Sequence, residues 1–144
     1  PQAWIQRESD GCWSDDALGH GLALVGFGID PERHLGQSAA AFRTAGGTCI
    51  QLCHRGQRIH RGEGEHVWED ISSAFVPGVA PVGWAAVVRP DRTILHDGPV
   101  TESDRLVSDT LALLGAGDAQ PGRSEEMGPR ATASRASAAS EAHR

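Results

Sequence analysis

The apolar residues of this chain fall in bunches separated by polar, glycine-rich stretches. Residues 21–29, GLALVGFGI, form a continuous apolar run without alternation. Both faces then require burial, so the run predicts a central β-strand covered on both sides. The next stretch, DPERHLGQSAAAFRTAGG, predicts a helix. Asp30 suits the N-cap, Pro31 the first helical position and Glu32 the first turn. Leu35, Ala39 and Phe42 fall at i, i+4 and i+7 on one stripe, and Gly46-Gly47 ends the helix as glycines past a C-cap do. Residues 48–53, TCIQLC, predict a second strand. Strand, helix and strand make a βαβ unit with a right-handed crossover.

Residues 54–65 read as a polar loop. In VWEDISSAF, residues 67–75, Trp68, Ile71 and Phe75 sit at helical spacing and predict a short helix, with strand as the alternative for its first half. VPGVAPVG, residues 76–83, is a loop by its Pro and Gly content. GWAAVVRPDRTILHDG then reads as a β-hairpin: strand 84–88, a turn Arg89-Pro90-Asp91-Arg92 with Pro where a fixed φ is wanted, and an antiparallel strand 93–96 closed by Asp97-Gly98. A last helix starts at a Thr101 N-cap, with Glu102 and Asp104 in its first turn. Leu106, Thr110, Leu113 and Val107, Leu111, Leu114 give it a wide apolar face. Before all this, Trp4 and Ile5 suggest a short edge strand and Asp10-Gly11 a turn. The order β-α-β, short helix, β-hairpin, helix is that of an α/β, thioredoxin-like fold with a central mixed sheet.

Composition divides the chain into a domain, residues 1–116, and a tail, 117–144. The tail has one Met and no aromatic or branched aliphatic residue, so it cannot offset the entropy of ordering itself. We expect it to be disordered, with a frayed helix through its Ala-rich end as the alternative. The net charge is −6. The tail's Asp118, Glu125, Glu126 and Glu141 cancel Arg123, Arg130, Arg135 and Arg144, so the acidity belongs to the domain. That argues against a nucleic-acid or anionic-membrane partner. The basic cluster Arg55, Arg58 and Arg61 runs straight into Glu63 and Glu65 and reads as a solvated loop. An odd number of cysteines, Cys12, Cys49 and Cys53, with no signal peptide suggests the reducing cytoplasm. No apolar stretch approaches the ~20 residues that span a bilayer. The chain begins at Pro1 and its one Met is Met127, which we read as a piece of something longer or a processed product.

Candidate chemistry is thin. GFGIDP ends a strand before a helix with Gly26 and Gly28, but Pro31 stands where a dinucleotide fingerprint needs its third glycine. Close strand–helix packing explains the glycines better. Cys49 and Cys53, four apart on one strand, lie ~13 Å apart by the strand rise, beyond the ~7 Å a disulfide tolerates. The slot where a dithiol would follow the first βαβ strand is Gly28-Ile29-Asp30-Pro31, without a thiol. His54, His60 and His66 are spaced too widely for a zinc site. Asp15-Asp16, and Glu65 with Glu69-Asp70, lack a partner nucleophile or base and read as solvated faces. There is no G-x-S-x-G, P-loop or H-E-x-x-H. We assign no catalytic, cofactor-binding or metal-binding residue.

GLALVGFGIDP, VWEDISSAFVPG and above all GWAAVVRPDRTILHDG resemble the C-terminal domain of FAD-dependent aromatic-ring monooxygenases, the phenol-hydroxylase-like enzymes. The likeness is nearest to 3-(3-hydroxyphenyl)propionate (3-hydroxycinnamate) hydroxylases. PQAWI resembles the segment that joins the flavin part to this domain. The resemblance covers residues 1–115, and Val88 to Asp91 is its most distinctive element. It implies a thioredoxin-like fold without redox cysteines, in a supporting role. The domain would pack on the FAD and substrate domains of a parent chain, and on a second subunit in a homo-oligomer. The intact enzyme would use NAD(P)H and FAD to hydroxylate a phenolic ring. The flavin motifs lie upstream of these residues, so no cofactor residue is carried over. Arg89 and Asp91 then cap the hairpin. A stand-alone thioredoxin-like binding or dimerisation protein is the alternative, and a thiol oxidoreductase using Cys12, Cys49 or Cys53 a third reading.

Overall fold

The computed structural model describes residues 1–7, 10–57 and 64–118. Seven strands form one sheet in the order β2-β1-β5-β4-β3-β6-β7. They are β1 Trp4–Arg7, β2 Asp10–Trp13, β3 Ala23–Phe27, β4 Thr48–His54, β5 Val67–Asp70, β6 Trp84–Val88 and β7 Ile94–Pro99. Helices are α1 Ser14–Leu18, α2 Ser38–Thr44 and α3 Ser103–Asp118. The pairs β3–β4 and β4–β5 are parallel; every other pair is antiparallel.

β3 lies inside the sheet between β4 and β6 and is covered on both faces, as its unbroken apolar run predicts, with all five residues buried. Its side chains divide between two cores. Leu24 joins Ala85, Val87, Phe42, Leu106 and Val107 beneath α2 and α3. Val25 and Phe27 join Ile50, Leu52, Ala86 and Val88 on the opposite face. That face is roofed by the five residues of α1 and by the turn around Phe75 and Ala80.

The helix expected from Pro31 is split. Asp30 does cap it, its carboxylate accepting from Glu32 N at 3.0 Å. The chain then makes one 3-10 turn, Pro31–His34, and α2 begins afresh at Ser38. The break has a tertiary cause: Asp104 Oδ1, on α3, accepts from Gly36 N at 2.7 Å, Ser38 N at 3.0 Å and Ser38 Oγ at 2.6 Å. A carboxylate from another helix thus serves the orphan donors at the start of α2, where Gln37 makes no side-chain cap. The far end is as expected. Gly47 N donates to Phe42 O and Gly46 N to Arg43 O, with Gly46 at φ +77°.

Four further expectations are corrected. Residues 67–70 are a strand, the alternative for the first half of this segment, and not the start of a helix; Trp68 and Asp70 are buried while Val67 and Glu69 are half-buried, a period of two. Asp10-Gly11 lies inside β2, which makes β1 and β2 a hairpin and leaves β2, not β1, at the sheet edge. Asp97 and Gly98 continue β7 opposite Ala86 and Ala85 instead of closing it. Thr101 lies within a 3-10 turn, Val100–Glu102, rather than at a helix cap. α3 buries Leu106, Val107 and Thr110, while Leu113 and Leu114, expected on the same apolar face, stand 55% and 41% exposed. Beyond Asp118 the expected tail lies outside the described residues.

Candidate functional site

The carboxyl ends of parallel strands are where α/β folds place ligands, and β3, β4 and β5 end together here. After β3 the chain turns at Gly28, φ +75°, whose N donates to Leu52 O at 2.7 Å. Buried Gln51 reaches under this turn, Nε2 donating to Gly28 O at 3.3 Å. A Cβ on Gly26 would sit 2.1 Å from Ile29 O and 2.6 Å from Pro31 Cδ. The space a bound pyrophosphate would need is filled by the chain's own backbone and by Pro31, and no α-helix N-terminus follows directly. The turn is close packing, not a nucleotide cradle.

β4 ends at His54 and β5 at Asp70, which pair across the two strands. Asp70, which by sequence belongs to a solvated carboxylate cluster, is fully buried. Its Oδ2 accepts from Phe75 N at 2.6 Å and Val76 N at 3.1 Å, and its Oδ1 from Ser72 Oγ at 3.2 Å. One carboxylate therefore organises the whole turn after β5. Ser73 in that turn has φ +56°, and its Oγ lies 3.4 Å from His54 Nε2. His54 Nδ1 lies 3.0 Å from Arg55 O, which can only accept, so Nδ1 is the donor of that contact. Glu69 Oε1 accepts from Gly56 N at 2.7 Å. These groups fasten two turns to the strand ends.

The other candidates are dispersed. His66 and Glu65 lie before β5, where the Glu65 carbonyl accepts from Arg7; the Arg7 guanidinium lies 4.7 Å over the Trp68 ring. His60, Arg58, Arg61 and Glu63 lie outside the described residues. Among the described residues no group of three His, Cys, Asp or Glu is placed to hold a metal. Cys12, Cys49 and Cys53 form no disulfide with one another. Burial, with Glu32 and Asp30 nearby, pushes the Cys49 thiol up to about 12. Burial and Asp16 raise Cys12. Neither is an activated thiolate.

The hairpin is held as a frame. Arg92 N donates to Arg89 O at 2.9 Å, Arg89 pairs with Asp91 at 3.1 Å, and Asp91 Oδ1 accepts from Thr93 N at 3.1 Å. That last bond, above all, holds the Asp91 carboxyl below its ordinary range. Arg92, which carries no sequence signal beyond its place in the turn, reaches furthest. Its Nη2 donates to Asp15 O at 2.7 Å and its Nη1 to Gly19 O at 3.0 Å, at the carbonyl end of α1. Asp15, one of the carboxylates read as solvated, lies 3.7 Å from Arg92 Nε.

An apolar feature among the described residues is the sheet face that α1 only partly roofs. A cavity of about 100 Å³ lies over Val25, Phe27, Ile50 and Ala86, with Val79 and Ile94 at its rim. A more open hollow of about 400 Å³ continues from it past Trp84 and Asp97. Val79 and Ile94 are 44% and 48% exposed. The Trp84 indole N–H donates to Asp97 Oδ2 at 2.8 Å. Periodicity marks Ile94 as a strand residue; that this face lacks a long covering helix is visible only in three dimensions.

The HcaD C-terminal domain family matches residues 1–113. A search of curated proteins returned no match. Among solved structures, the flavin-dependent monooxygenase PieE, in complex with FAD and substrate, is 18% identical, with a TM-score of 0.58 over 80% of this chain and 19% of that one. The chain thus spans about a fifth of the length of that protein. The exposed lipoprotein thioredoxin Etrx1 from Streptococcus pneumoniae strain TIGR4 is 8% identical, with a TM-score of 0.51 over 78% of this chain and 99% of that one. At such identities the likeness is one of fold, and the fold is thioredoxin-like without a C-x-x-C. Among the described residues no helix is long and apolar enough to cross a membrane.

Proposed function

Because the chain belongs to the HcaD C-terminal domain family, we propose that it is the accessory domain of an FAD-dependent, NAD(P)H-using aromatic-ring hydroxylase acting on a phenolic substrate such as 3-(3-hydroxyphenyl)propionate. The family match over residues 1–113 carries this reading. It is supported by the fold shared with about a fifth of a flavin-dependent monooxygenase. FAD, when bound to the parent enzyme, supplies the oxygen-activating redox chemistry. The residues of this chain supply scaffold: Asp70, Asp104 and Arg92 each tie one element to another, and the turn after β3 is filled by Pro31. The domain's partners are the FAD and substrate domains of the parent chain, and the enzyme works in the cytoplasm, as a homo-oligomer where a second subunit packs on this domain.

The test is to read the coding DNA in frame upstream of Pro1 and to purify this chain alone. Several hundred codons carrying G-x-G-x-x-G near their start are expected, together with a colourless isolated domain. Flavin absorbance in the isolated domain would overturn the reading. A start codon within a few dozen residues would favour the second reading, a free-standing thioredoxin-like binding or dimerisation protein. The observation that favours it is the coverage of 99% of Etrx1, itself about the size of this domain.

A further inference from the structure

We draw no further inference here: the strongest candidate, the partly roofed apolar sheet face whose hollow opens beside Val79 and Ile94, carries nothing because nothing in the structure shows what covers it.

Discussion

Replacing Asp70 by alanine tests whether one buried carboxylate sets the path of the chain after β5. The side chain is fully buried, and its Oδ2 receives the backbone N–H groups of Phe75 and Val76, themselves buried. Alanine leaves both donors without an acceptor in a place water does not reach. Hydrogen bonds to a charged acceptor contribute about 1.5–3 kcal/mol each, and orphaned buried donors cost a similar amount. The two bonds together, softened by some relaxation of the turn, give a loss of about 3–5 kcal/mol. Against a total stability of about 5–15 kcal/mol that is a large fraction. It should lower the melting temperature by about 10 °C or more. Asn keeps an oxygen aimed at the same donors and loses only the charge, so Asp70→Asn should cost about 1–2 kcal/mol. The assay is urea unfolding monitored by circular dichroism, with the slope of the transition held as a check that both variants unfold from the same native state. Asp70→Ala within about 1 kcal/mol of the parent, or Asn as damaging as Ala, would refute the argument.

Three further outcomes rest on the same geometry. Arg92→Ala should cost about 1–2 kcal/mol through the two lost carbonyl contacts to α1, and hydrogen exchange should rise first in residues 14–19; a uniform rise across the domain would contradict the local role. Asp104 is held below its ordinary carboxylate value of 3.8, first by Ser38 Oγ, then by the Ser38 and Gly36 amides. Its folded value is the depressed one, so its stabilisation is fully present above the unfolded value and is lost as pH falls through the folded one. Asp104→Asn should therefore flatten the acid limb of a urea-midpoint-against-pH curve, and an unchanged limb would count against the bridge between α2 and α3. Cys49, pushed up to about 12, should alkylate at pH 8 roughly a thousandfold more slowly than an ordinary thiol, by its thiolate fraction alone. Fast labelling of Cys49 by iodoacetamide, located by mass spectrometry, would contradict its burial.

Local rules carried much of the fold. A short run without alternation, bounded by glycines, reads as a strand covered on both faces, and residues 21–29 supply β3, an interior strand between β4 and β6. Glycines at 46 and 47 end α2 because a left-handed C′ position suits Gly, and because a Cβ on Gly47 would strike the Phe42 ring at 2.5 Å. Pro at 90 fixes the turn of the β6–β7 hairpin, which is framework, as its Arg89–Asp91 cap and Arg92 strut show. These features depend on neighbours a few residues away, which is why they are legible in one dimension. What only the tertiary structure decided depends on distant partners. Trp68, Ile71 and Phe75 fit a helical stripe, but residues 67–70 find β4 and β1 on either side and become a strand. A capped helix from Pro31 onward satisfies every local rule, yet Asp104, 66 residues beyond Ser38, takes over the start of α2. Asp70 looks like any surface carboxylate until the sheet closes over it. The uncovered face is the extreme case, because whether an apolar side chain such as Ile94 meets a helix or solvent depends on which elements the rest of the chain can spare to lie across it.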